Sequence, residues 1–297
     1  MSPPVLLAVP NVSEGRDGHA IAAIGRAFEG GGAARLLDVH RDADHHRAVY
    51  TLAGQPGSLA GALLDGARAA VERIDLARHE GVHPHVGAID VVPVVHLVPE
   101  DRGAACAEAL VAADLLGREL ELPVFLYGEL AGGRTRAELR RGGIAGLAQR
   151  MAGGEARPDF GPARPHASAG AALVAARAPL VAFNLLLAPP ATAADARAIA
   201  AAVREGGEHG LAGVRALGLE LASRGGAAQV SFNVEDPHAT PLRDLVEAVR
   251  RRAEPSEAEL VGLAPRAAFE GFPQDLPIPG FDPARHLIEN ALADALS

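Results

Sequence analysis

The chain has 297 residues, a formal net charge of −9 and 48% hydrophobic side chains. That length holds about two domains with sizeable cores, and the acidic balance argues against nucleic acid or a charged membrane surface as a partner. All 28 basic side chains are arginine, so Schiff-base and P-loop lysines are excluded.

Mean hydropathy is +0.11, and no uninterrupted apolar run has membrane-spanning length. The first ten residues lack a basic segment and a long apolar one, which predicts a cytoplasmic protein with no membrane partner. The lone Cys106 excludes an internal disulfide and a multi-cysteine zinc site. It lies in an alanine-rich helical pattern and reads as a buried structural thiol.

In chain order, Val5–Val9 is an apolar strand running into the turn residues Pro10-Asn11-Val12-Ser13-Glu14-Gly15. Asp17–Glu29 has helical periodicity and stops at three glycines. Arg35–Val39 and Ala48–Ala53 are strands on either side of a charged tip, which predicts a hairpin. A helix runs from Ser58 to Leu76, with Pro56 near its start. The strand Ala88–Val98, the helix Arg102–Leu120 and the strand Pro123–Tyr127 follow. Gly128–Gly170 is rich in Gly, Pro and Arg, with short helices near Thr135–Arg140 and Ile144–Met151.

The second half repeats the element order. Strands are predicted at Leu180–Leu187, Gly213–Leu221, Ala227–Val234 and Glu259–Leu263, and helices at Thr192–Arg204 and Pro241–Ala253. Thr192 is a candidate N-cap. A Pro-rich connection leads to a final helix, Pro283–Leu296. Each half reads βαββαβ, the ferredoxin-like order. The expectation is an α+β fold of two subdomains, residues 1–178 and 179–297. Each would be a sheet with helices mostly on one face, and the bare faces would meet over a ligand crevice.

The densest chemistry lies between Pro56–Leu76 and the strand that follows it. His79, His83 and His85 fall within seven residues, among glycines and a proline that mark a loop. Pro84 restricts the backbone of His83 to extended conformations, and an imidazole so fixed is a candidate general base. His83 and His85, two apart in an extended segment, would point the same way and could pair on a metal. Asp42, Asp44, His45 and His46 form a second polar cluster at the hairpin tip. Together the clusters hold enough ligands for a metal, although no fixed-spacing metal motif is present. The plainer reading of the tip is a solvated charge run. Asn11, Asn184 and Asn233 sit at or in strands. Gln229, Ser231 and Asn233 alternate and so share one sheet face. No GxGxxG, Walker or GxSxG motif occurs, and Ser168 is a weak candidate nucleophile.

The chain resembles the glutamate formimidoyltransferase (formiminotransferase) family. The resemblance rests on Val9-Pro10-Asn11-Val12-Ser13-Glu14-Gly15, Leu36-Leu37-Asp38-Val39, Gly81-Val82-His83-Pro84, Gly87-Ala88-Ile89-Asp90 and Tyr127-Gly128-Glu129. It continues through Pro158-Asp159-Phe160-Gly161-Pro162, Val181-Ala182-Phe183-Asn184 and Gln229-Val230-Ser231-Phe232-Asn233. It implies two subdomains with facing sheets, and transfer of a formimino group from N-formiminoglutamate to N5 of tetrahydrofolate as co-substrate, without a metal. The chain looks like the stand-alone transferase, without a cyclodeaminase region.

The resemblance makes His83 the catalytic histidine, puts folate along Gly161, Pro162, Ser168 and Gly170, and implies a cytoplasmic homodimer in histidine degradation. Around these, Asn11, His40, Asp42, His45, Arg47, His85, Asn184, Gln229, Ser231 and Asn233 are the candidate binding residues. Arg41, Arg47 or Arg177 would meet substrate carboxylates. His40, His46 and His85 depart from the family pattern, which leaves a formyl or other one-carbon donor open. A metal-dependent hydrolase or cyclase and a non-catalytic folate-binding protein are the other readings.

Overall fold

The computed structural model describes residues 4–81 and 83–296. The chain divides between Ala178 and Pro179 into two compact units.

In the first unit, strands β1 (Leu6–Ala8) and β2 (Asn11–Val12) are two parts of one run, interrupted at Val9-Pro10. Then come helix α1 (Gly18–Glu29), strands β3 (Ala34–Asp42) and β4 (Arg47–Gly54), helix α2 (Leu59–Arg73) and strand β5 (Ile89–His96). β4 lies antiparallel to β3 on one side and to β1 and β2 on the other, and β1 and β2 lie antiparallel to β5. The order β3-β4-β1/β2-β5 is that of a split βαβ sheet. Helix α3 (Arg102–Glu119) leads to β6 (Val124–Leu126), helices α4 (Arg136–Arg140) and α5 (Gly143–Ala152), and β7 (Ala172–Arg177). β7 inserts parallel between β5 and β6. The sequence pattern assigns no element to residues 171–177, where this strand lies, and β3 runs three residues past its expected end.

Every residue of β5 is buried, as expected for a strand covered on both faces. One face packs Val92, Val94, Val124, Leu126 and Val174 with residues of α1–α3. The other packs Val91, Phe125, Leu173 and Ala175 with Leu139 of α4 and Leu147 and Met151 of α5. Helices therefore cover both faces here, where one was expected. The cause is the 128–170 segment, whose apolar residues close over β5, β7 and β6.

Several local contacts fix the elements. Asp17 caps α1 through the backbone N–H groups of His19 and Ala20. Gly66 of α2 sits where a Cβ would meet the Phe28 ring at 2.1 Å, so only glycine lets α1 and α2 approach. Phe28 and Tyr50 are fully buried at 5.1 Å between centroids, and the Tyr50 hydroxyl donates to the Ile21 carbonyl. Ser58 makes no side-chain cap for α2. Buried Glu108 of α3 does that work, accepting from Gly57 and Ala60 N–H, each at 2.6 Å. We expect Glu108→Ala to lower stability by about 1–3 kcal/mol, because the buried Ala60 amide and the part-buried Gly57 amide lose their charged acceptor. The check is a urea titration, where the midpoint falls and the slope holds. Cys106 is half-buried against the same core rather than fully buried.

The second unit is β8 (Val181–Leu187), α6 (Ala193–Val203), β9 (Val214–Leu221), β10 (Ala227–Val234), α7 (Leu242–Arg250) and β11 (Pro255–Val261). Its sheet order is β11-β8-β10-β9, all antiparallel. Thr192 and Asp195 form the capping box of α6. β11 starts four residues before the predicted Glu259. The final helix is two pieces, α8 (Pro283–His286) and α9 (Ile288–Leu296). Phe183, Val230 and Phe232 face the core with α6 and α7.

Candidate active site

The site of the first unit grows out of an irregularity in the sheet. Asn11 pairs with Val91, but Val12 pairs with Ile89, so Asp90 is the extra residue of a β-bulge. A bulge re-aims its side chain. Asp90 is fully buried and receives two arginines on one oxygen. Arg47 Nη1 donates to Oδ2 at 2.7 Å, and Arg140 Nη2 donates to the same atom. Asp90 Oδ1 accepts from the Val86 N–H at 2.9 Å, which ties the histidine loop to the bulge. Arg47 Nε donates to Asn11 Oδ1 at 2.9 Å. Burial alone would raise the Asp90 carboxyl; Arg140 and Arg47 overcome that and hold it well below the usual carboxylate range. Burial lowers Arg47 to about 10, and Asp90 opposes the shift.

His83 stands against this group. Its Nδ1 lies 3.3 Å from Arg47 Nη1. A guanidinium only donates, so Nδ1 accepts and the neutral ring carries its proton on Nε2. Burial pushes the His83 pKa well below the ordinary 6.5, and Arg47 and Arg140 add to that. His45 is the nearest ring, 6.0 Å away. His83 is half-buried.

The other histidines form a second stack. His46 and His79 lie 4.4 Å apart, and His79 and His85 4.0 Å. His46 Nδ1 accepts from the Gly15 N–H, and His79 Nε2 donates to the His46 carbonyl. Burial lowers the pKa of His46 and His79, which favours the neutral form of these two rings. His85 Nδ1 donates to the His83 carbonyl at 3.2 Å. His83 and His85 thus go to different neighbours, and the shared ligand pair suggested by their spacing does not form. Among the described residues, no group of three or more His, Cys, Asp or Glu side chains is placed to hold a metal.

The hairpin tip and the histidine loop are stapled together. Arg16 Nε donates to the Ala43 carbonyl and its Nη2 to the Glu80 carbonyl. Gly15 lies so close to the tip that a Cβ would meet Asp42 O at 2.0 Å. Asp42 Oδ1 caps the tip through the His45 N–H, and His46 takes a φ of 49°, uncommon for a residue with a Cβ. Val82 lies outside the described residues.

Two stretches match known domains. Residues 5–177 match the N-terminal subdomain of the formiminotransferase domain, and residues 182–270 match the formiminotransferase domain. The chain belongs to the formiminotransferase family. The formimidoyltransferase-cyclodeaminase of Sus scrofa is 38% identical over 276 residues, covering 88% of this chain and 50% of that protein. The glutamate formimidoyltransferase of Streptococcus pyogenes serotype M1 is 32% identical, covering 97% of this chain and 98% of that protein. The glutamate formimidoyltransferase of Thermoplasma acidophilum is 34% identical, covering 88% of each. The chain spans about half the length of the animal relatives it matches.

In this chain, Asn11, Asp42, His45, Arg47, His83 and His85 meet around the bulge, the tip and the loop, and His40 lies on β3 opposite Val49. The turn carrying Ser168 and Gly170 borders the same loop. The Ser168 carbonyl accepts from Leu76 N–H, and Gly87 bridges to Gly170. Gly161, next to Pro162, packs instead on Leu122 and Gly117 at the end of α3. Arg41 lies exposed near Gly18, and Arg177 donates to the Ala178 carbonyl. Asn184, Gln229, Ser231 and Asn233 belong to the second unit. Ser231 pairs with Asn184, which pairs with Glu259 and donates to it at 2.8 Å. They form a polar row on the face away from Phe183 and Phe232.

Two residues of the site were missed from sequence, Asp90 as a functional residue and Arg140. The Thr135/Glu138 capping box fixes α4 and thereby the place of Arg140. That box was readable; which carboxylate the arginine would meet was not.

Proposed function

We propose that this chain transfers a formimino group from N-formiminoglutamate to N5 of tetrahydrofolate, with His83 relaying the proton. The observation that supports the reaction most directly is the end-to-end match to the Streptococcus pyogenes glutamate formimidoyltransferase. The geometry supports the role of His83.

N5 attacks the formimino carbon, and an N–C bond forms. N5 must lose a proton, and the nitrogen of the departing glutamate must gain one as its C–N bond breaks. A single neutral imidazole can take the first proton and supply the second. His83 is neutral at pH 7 because of burial and the two arginines. Its Nδ1 is engaged by Arg47. In this reading, proton pickup starts when an anion draws Arg47 away from that nitrogen. Holding both substrates in one place supplies the remaining advantage.

The test is release of glutamate from N-formiminoglutamate, measured with and without tetrahydrofolate. We expect release only when tetrahydrofolate is present. Release without it would replace the transferase reading by a hydrolase, and the same assay with N-formylglutamate separates a formyl donor from a formimino one.

A further inference from the structure

Around Asp90 the charges do not cancel. Two guanidiniums share one carboxylate oxygen, and all three groups are withdrawn from water, with side-chain exposures of 10% for Arg47, 11% for Arg140 and 0% for Asp90. Arg47 and Arg140 both act on His83, and Asp90, which they share, opposes them. These two guanidiniums and one carboxylate carry one net positive charge. A desolvated, uncompensated charge is costly, so a site that retains one is suited to an anion that arrives later. A second observation points the same way. Arg140 Nε is buried and has no hydrogen-bond partner among the described residues, although arginine is normally satisfied when buried.

We propose that Arg47 and Arg140 form the subsite for a carboxylate of the one-carbon donor, with Asp90 as the post that holds both forks. The inference rests on the transferase reading above for the identity of the donor. The planar fork of arginine suits a carboxylate, and this chain has no lysine to do the task. Nothing else in the constellation needs to be charged. His83 borders Arg47, so an amino-acid carboxylate seated there puts the substituent on its nitrogen near the His83 ring. The same carboxylate competes for Arg47 and frees Nδ1, so binding the donor readies the base. Arg140 and Arg47 are binding and positioning residues in this scheme.

The test uses the whole chain and two measurements. The first is calorimetric titration of L-glutamate, L-glutamine and 4-aminobutyrate into the protein and into Arg140→Gln, with tetrahydrofolate present. Losing a charge-assisted contact is worth about 10–100-fold, so glutamate should bind Arg140→Gln that much more weakly. Either glutamine, which lacks the side-chain carboxylate, or 4-aminobutyrate, which lacks the α-carboxylate, should bind both proteins alike. The second is turnover of N-formiminoglutamate. Arg140→Gln should raise its KM by a similar factor and leave the KM for tetrahydrofolate within about threefold, with Arg140→Lys between the two. If Arg140→Gln weakens all three ligands equally, or none of them, the subsite is wrong. If glutamate binding depends on Arg140 but the unmodified protein turns over no donor, the subsite stands and the transferase reading falls.

Discussion

Replacing His83 by asparagine should lower kcat by about 10²–10⁴-fold and leave tetrahydrofolate affinity nearly unchanged. Asparagine can put a carbonyl oxygen close to where Nδ1 lies, so it can still accept from Arg47. It cannot move a proton. His83→Ala removes both functions, and its further loss beyond His83→Asn measures what the contact with Arg47 is worth. Single-turnover measurements at saturating substrate separate the chemical step from binding. If His83→Asn turns over at more than a tenth of the normal rate, the relay role is wrong. Prolonged dialysis against a chelator should leave the activity of the unmodified chain intact. Chelator-sensitive activity restored by zinc would replace the relay by a metal.

The same ring makes a stability prediction. The folded chain holds His83, His46 and His79 below the ordinary histidine pKa of 6.5. The unfolded chain therefore binds more protons as pH falls through 6.5, and stability must drop on the acid side. A series of urea midpoints from pH 8 to 5 should be flat above neutrality and fall below it. His83→Asn should make that fall shallower, with the rest due to His46 and His79.

The helices and most strands were legible because their patterns are local. Leu59–Arg73 and Gly18–Glu29 show periodic apolar faces, and Thr192 and Asp17 announce their helices as caps. The strand Ala172–Arg177 was not legible, because a fully buried parallel strand in an alanine-rich run has no alternation to read. The site divides along the same line. His83 showed itself through the histidine density and Pro84. Asp90 did not, because its role comes from a bulge, and neighbours that are apolar on both faces give no parity from which a shift could be seen. Arg140 lies fifty positions from Asp90 and reaches it only because α4 and α5 fold over the second face of the sheet. Long-range closure of that kind leaves no local pattern.

Asp90 should be the least replaceable residue of the first unit. Asp90→Asn keeps the shape and an acceptor but leaves two desolvated guanidiniums side by side without a countercharge. Breaking a buried pair in this way typically costs about 3–5 kcal/mol, against a total stability of about 5–15 kcal/mol for a domain. The single variant is therefore expected at the edge of folding. Removing one guanidinium should restore it: Asp90→Asn combined with Arg140→Met should be more stable than Asp90→Asn alone, a coupling that urea midpoints of the four proteins would measure. If the losses simply add, Asp90 and Arg140 are not energetically linked, and the charge argument for the subsite weakens with them. Acid supplies an independent check. The folded-state pKa of Asp90 is held below its ordinary 3.8. Its stabilising effect is therefore complete above that pH and lost only as pH falls through the lower folded value. Unfolding of the first unit between pH 6 and 5 should thus follow the histidines and be insensitive to Asp90, whereas a second loss below pH 4 should be absent from the doubly substituted chain.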